Sequence, residues 1–219
     1  MVNNLSFSLS SMDLSALLCS RICHDIISPI GAIHNSLELL DEEGIEDEAI
    51  QLIRLSSMNA IARLKFIRLA FCYTGSVHSL VGLDEIKQII RDFITIDNRI
   101  TVFWVSEETD LLRKKSKLLL NLFMIAYASL PKGGEIIISI KDSTADNIFS
   151  LKINGNRVRL PEKFIQIMAQ DVDLEIDSHS VQLYYTALLA DENDVKLSYE
   201  IIDDQNVVLS VLTKKYISI

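Results

Sequence analysis

Proline and glycine are scarce in this 219-residue chain, at three and seven residues, which excludes collagen-like and Pro-rich or Gly-rich linker classes. Cysteine is scarce as well. Cys19 and Cys23 stand four apart and Cys72 is distant, an odd set that fits neither a disulfide framework nor a zinc pattern. A reduced, cytosolic compartment is therefore expected. Basic charge is short: 21 Lys and Arg against 30 Asp and Glu leave a net charge of −9, the opposite of a nucleic-acid footprint. Uninterrupted apolar runs are all shorter than the roughly 20 residues of a membrane span. The opening Met1-Val2-Asn3-Asn4 lacks the basic start of a signal peptide, so no membrane association is expected. What the chain has is hydrophobic residues, 49% of the total, enough for a sizeable core.

The first third reads as helix. Leu14, Leu18, Ile22, Ile26, Ile33, Leu37 and Leu40 recur at three- to four-residue spacing. Ser11 or Asp13 is the expected cap, and Asp41-Glu42-Glu43-Gly44 the break, its glycine suited to a left-handed turn. A second helix carries Ile50, Ile53, Leu55, Ile61, Leu64, Ile67, Leu69 and Phe71. Two long helices joined by a short loop make an antiparallel hairpin. Its apolar surface exceeds what one helix pair can cover, so pairing with a second copy into a four-helix bundle is expected. The expected domains are 1–78, the helical hairpin, and 79–219, an α+β sandwich with helices on one face of a mixed sheet. In the second, helices are expected at 83–95, 113–130, 162–170 and 181–190, and strands at 99–105, 135–141, 148–154, 195–202 and 207–213. A polar turn at 142–147 joins two of those strands.

With Ile22 at the centre of the first apolar stripe, Leu18, Ile26, Pro29, Ile33 and Leu40 fall within about 40° of it. His24 falls at roughly 200°, on the outward face with Ser20, Gly31 and Glu38. Pro29 sits in mid-helix, where a lost amide and a ring clash cost ~3 kcal/mol. A helix that keeps such a residue one turn beyond an exposed histidine has a use for the loosened turn. Imidazole titrates near pH 6.5, so the nucleophilic free base is abundant at neutral pH. Asp25 is placed to accept from one ring N–H and stabilise the charge that develops on the other nitrogen.

The run Cys23-His24-Asp25-Ile26-Ile27-Ser28-Pro29-Ile30-Gly31-Ala32-Ile33 resembles the H-box of two-component sensor histidine kinases: a histidine, an acidic residue, Pro five places on, then apolar residues one and four after the Pro. The wider stretch 17–40 is similar to the dimeric histidine phosphotransferases of bacterial cell-cycle phosphorelays. That resemblance implies a phosphoryl group taken by His24 from an aspartate in the receiver domain of a hybrid kinase and passed to aspartates of response regulators. Mg²⁺ would then be carried by the receivers, and this chain would need no cofactor or metal. Ser20, Arg21, Ser28 and Gly31 are the candidate phosphoryl-contact or docking residues. Arg21 either meets phosphoryl charge or is a solvated flank, and Ser28 either bonds phosphoryl oxygens or relieves the backbone at Pro29. His34, His78 and His179 are expected to be bystanders, His179 as a helix-start residue. Cys19 and Cys23 are expected as small apolar fillers and Trp104 as core.

In the kinases the hairpin precedes an ATP-binding lobe of the Bergerat type, and 79–219 resembles that lobe without its boxes. Asn121 matches the first Asn of the N-box, but the second Asn is Ile125 and the expected basic residue is Ala128. Ile153 replaces the adenine-binding Asp, and Arg157 the second Gly of that box. The segment 177–183 holds no glycine where phosphate-cradling glycines belong. The expectation is a homodimeric phosphotransferase that binds no ATP. An ATP-dependent kinase with unusual boxes and a non-catalytic scaffold are the alternatives, separated from it by nucleotide binding and by phosphorylation of His24.

Overall fold

A computed structural model describes residues 9–41, 45–72, 79–95, 98–141, 147–171 and 174–214. Helix α1 spans Ser11–Glu38, followed by one 3-10 turn, Leu39–Asp41. Its cap is Ser10, not Ser11 or Asp13. The Ser10 hydroxyl accepts from the Asp13 amide at 3.1 Å and donates to the Asp13 carboxylate at 2.6 Å, a side-chain cap held at both ends by Asp13. The helix runs through Pro29, which is buried. Helix α2 spans Glu46–Phe71 and packs antiparallel on α1. Gly44, Tyr73, Gly75 and His78 lie outside the described residues, as does most of the turn at 142–146.

The stripe read from the sequence is the side of α1 that is covered: Leu18, Ile22, Ile26, Ile33 and Leu40 are half-buried around buried Pro29. Cys19 and Cys23, expected as fillers, lie off that stripe and are exposed. One expectation about apolarity is corrected. The 28-residue α1 is long and apolar enough, by length and composition alone, to cross a membrane, because only a few charges interrupt it; little of it is buried inside the protomer.

The rest is a two-layer α+β sandwich. In chain order come β1 (Leu80–Gly82), α3 (Leu83–Thr95), β2 (Ile100–Ser106), β3 (Asp110–Leu112), α4 (Arg113–Ala128), β4 (Gly134–Ile140), β5 (Asn147–Asn154), α5 (Glu162–Met168), α6 (Val181–Glu192), β6 (Val195–Ile201) and β7 (Asn206–Thr213). The main sheet has the order β2-β4-β5-β7-β6, parallel between β2 and β4 and antiparallel elsewhere. β1 and β3 form a separate antiparallel pair that the sequence reading did not contain. Period-2 alternation fixes the sheet's faces. Ile136, Ile138 and Ile140 of β4, Leu151 and Ile153 of β5, and Val207, Leu209 and Val211 of β7 point into one core with Leu118, Leu119, Phe123 and Ile125 of α4. Trp104 is only half-buried, since β2 is an edge strand whose Phe103 and Val105 face outward.

The lobe covers one end of the hairpin. Phe66, Leu69 and Ala70 near the end of α2 join the lobe's core, and Phe66 meets Phe93 of α3 and Phe123 of α4 at ring-centroid distances of 4.6 and 6.0 Å. Further toward the start of α2, Leu55, Met58, Ile61 and Leu64 remain open to solvent.

Candidate phosphotransfer site

His24 projects from the middle of α1 with 68% of its side chain exposed. Its Nδ1 lies 3.4 Å from Asp25 Oδ1. Asp25, only 17% exposed, turns its other oxygen to Arg21, whose Nε donates at 2.9 Å one turn back along the helix. Arg21 is thus neither a free cation aimed at a phosphoryl group nor a solvated flank. Its Nη1 also reaches across to donate to the His179 carbonyl at 3.3 Å. The Nε2 of His24 has no hydrogen-bond partner among the described residues.

Ser20 and Ser28 are exposed on the His24 side, and the position where a Gly31 Cβ would stand has nothing within 4 Å. A docking protein therefore meets backbone there rather than side chain. Ile27, one turn beyond His24 and 67% exposed, belongs to this surface too and was missed because an apolar residue reads as core. His34 pairs loosely with Glu38 at 3.6 Å, both well exposed.

His179 is the larger omission. It precedes α6, as a helix-start residue should, but its ring stands edge-on to His24 with centroids 5.6 Å apart and an interplanar angle of 79°. Asp177 fixes this segment. Its Oδ1 accepts from the amides of His179 and Ser180 at 3.0 and 2.8 Å and from the Ser180 hydroxyl at 2.7 Å, while Lys163 donates to Oδ2 at 2.9 Å. The Ser180 hydroxyl, then Lys163, hold the Asp177 carboxyl far below the usual carboxylate range.

Backbone amides ahead of a helix are a ready anion cradle, and here the protein's own Asp177 carboxylate occupies it. Asn121 is fully buried and turned inward: Nδ2 donates to the carbonyls of Ala70 and Lys117 at 3.0 and 2.9 Å. Gln182 of α6 donates to Asn121 Oδ1 at 3.2 Å and to its carbonyl at 2.9 Å. The residue is a tertiary tie between hairpin and lobe. Lys117, one turn earlier, is buried with its amine 3.3 Å from the Phe71 carbonyl, and that burial lowers its pKa. Ile125 and Ile153 are buried in the core where the boxes would need polar groups. Gly155 survives from the adenine box for packing, since a Cβ there would stand 2.9 Å from the Gly133 carbonyl. Among the described residues no cluster of three or more His, Cys, Asp or Glu could hold a metal ion.

An exposed histidine on a helical hairpin, joined to an α+β lobe that keeps Asn121, Ile125 and Ile153 buried within its own packing, is the arrangement of a phosphotransfer protein. Sequence relatives agree. Residues 83–205 match the model of the histidine phosphotransferase C-terminal domain. The chain is 41% identical over 196 residues to protein phosphotransferase ChpT of Brucella abortus (strain 2308), covering 89% of this chain and 93% of that protein. A solved bacterial phosphotransferase structure, 39% identical, superposes with a TM-score of 0.86 over 95% of this chain and all of that one. The chain belongs to the histidine phosphotransferase family.

Proposed function

We propose that His24 is the phospho-acceptor of this phosphotransferase, working in a bacterial two-component phosphorelay. The donor is the aspartyl phosphate of a hybrid kinase's receiver domain, and the acceptors are response-regulator aspartates. The observation that carries the reading is the exposed His24 ring, held at Nδ1 by Asp25 and open at Nε2. In the transfer the Nε2 lone pair attacks phosphorus, the P–O bond to the receiver breaks, and its electron pair returns to the receiver carboxylate. The Nδ1 proton stays on the ring, where Asp25 balances the positive charge. Passing phosphoryl onward is the same step in reverse. Mg²⁺ is supplied by the receivers, and the chain itself uses no cofactor. A cytoplasmic homodimer, joined through the hairpins, with no membrane or nucleic-acid partner, completes the proposal, and a cell-cycle role is part of it only through the resemblance carried by residues 17–40.

The test is incubation with a receiver domain phosphorylated on its aspartate, followed by mapping of the acid-labile label. Label is expected on His24 and none in His24→Ala, which should melt like the wild type. Transfer persisting in His24→Ala overturns the assignment.

A further inference from the structure

We propose that His179 is the lobe's contribution to the phosphoryl site, its imidazole N–H donating to the phosphoryl group while that group sits on Nε2 of His24; this rests on His24 being the acceptor.

Four contacts close a circuit between α1 and the segment ahead of α6. His24 leans on Asp25, Asp25 on Arg21, Arg21 on the His179 carbonyl, and the His179 ring returns to His24. Backbone on both sides of the His179 Cα is held, the amide by Asp177 at 3.0 Å and the carbonyl by Arg21 at 3.3 Å. Asp177 is itself clamped by Lys163, which also donates to the Glu175 carbonyl at 3.1 Å. A centroid separation of 5.6 Å lets both imidazoles touch one phosphoryl group. Both rings are exposed, so His179 flanks the acceptor without closing it off from a docked receiver.

The chemistry asks for such a group. Phosphoryl transfer spreads negative charge over three equatorial oxygens and is accelerated mainly by positioned donors. Receivers bring their own donors and Mg²⁺ to one side of the phosphorus. On the histidine side, Asp25 is an anion and repels the oxygens, and Arg21 is already engaged by Asp25 and the His179 carbonyl. Among the described residues, His179 is the side chain whose ring stands against His24 with an N–H to present to the phosphoryl group.

The experiment uses the full chain and a receiver domain charged on its aspartate with acetyl phosphate. The site of label in the wild type is mapped first; label away from His24 removes the preceding reading and this one with it. With His24 labelled, the transfer rate is measured against receiver concentration for wild type, His179→Phe and His179→Gln, each checked for native melting. Phe keeps a ring edge against His24 but has no N–H, whereas Gln keeps a donor. His179→Phe is expected to lower the saturating rate roughly tenfold, the size of one charge-assisted hydrogen bond, at unchanged half-saturating receiver. His179→Gln should restore most of the loss. A Phe variant as fast as wild type overturns the proposal, as does an equal loss in Phe and Gln. A change confined to half-saturation also overturns it, since that places His179 in receiver docking instead.

Discussion

Asp25 serves two neighbours at once, and its replacement separates positioning from folding. Its bond to Arg21 is a partly buried pair one helical turn apart, and i,i+4 pairs on helices are worth about 0.3–0.5 kcal/mol. Asp25→Ala should therefore lower the unfolding free energy, measured by denaturant titration, by about 1 kcal/mol or less. The same change removes the group that orients Nδ1 and balances the phosphoimidazolium, so the saturating transfer rate should fall about tenfold or more at unchanged half-saturating receiver. Asp177 carries a pH dependence. Its folded pKa is depressed below the unfolded value of about 4, so its contribution to stability is fully present above that value and is lost as pH falls through the folded one. The difference in unfolding free energy between wild type and Asp177→Asn should be flat above about pH 5 and shrink in acid; a difference that grows in acid would contradict the bonding described. His24 and Asp25 were legible from their spacing to Pro29 and the angle to the stripe. His179 was not, because the Arg21–His179 contact spans 158 positions and no local period encodes it.

At the scale of elements, α4 is a structural tie between hairpin and lobe. Asn121 reaches the end of α2, Gln182 of α6 reaches back to Asn121, and Thr186 accepts from Gln182 at 3.1 Å, one buried chain of bonds across three helices. Replacing Asn121 with Leu leaves buried donors and acceptors unmatched, at roughly 1–3 kcal/mol for each unsatisfied group. A clear fall in thermal midpoint is expected, measured by circular dichroism. Calorimetric titration with Mg·ATP should give no binding heat, and Ile125→Asn should not create any, since Ile153 stays in the core and the Asp177 carboxylate stays on the amides before α6. Saturable micromolar binding would reinstate the kinase alternative. The failed boxes were readable because each is a short local motif, and the long helices and the five main strands were readable because periodicity accumulates over many residues. β1 and β3, three residues each, are too short to show a period, and they are brought into register where Val81 and Leu111, paired across the two strands, pack into the core. The cap at Ser10 was misplaced by one residue, since a run of serines offers several equivalent hydroxyls.

For the whole molecule the open question is what covers the hairpin. The lobe takes the end of α2 from Phe66 onward and leaves Leu55, Met58, Ile61 and Leu64 at 62, 65, 50 and 48% exposure, with Ile30 and Leu37 of α1 at 52 and 49%. Between α2 and α3 this surface deepens into a groove of about 480 Å³ lined by Leu55, Met58, Ile61, Lys65, Asp92 and Thr95. Full burial of one such side chain contributes ~1.5–3 kcal/mol, so covering the exposed half of six in each of two copies contributes on the order of 10 kcal/mol before association costs. That rivals the whole stability of a typical domain, ~5–15 kcal/mol. A two-fold pairing of hairpins would close the surface on itself and keep both His24 rings outside, one per protomer. It would also account for an α1 apolar enough to resemble a membrane span, because a helix covered by α2 and by a second hairpin is a bundle helix. Light scattering should give about twice the chain mass. Ile61→Glu puts a charge in the middle of the stripe, where burial without a partner costs several kcal/mol, and should lower both dimer content and melting temperature. The same charge at Lys152→Glu, on the exposed face of the sheet, should change neither. A wild-type protein that stays monomeric and stably folded at micromolar concentration would mean that the exposed stripe is tolerated in water, and the bundle would have to be abandoned.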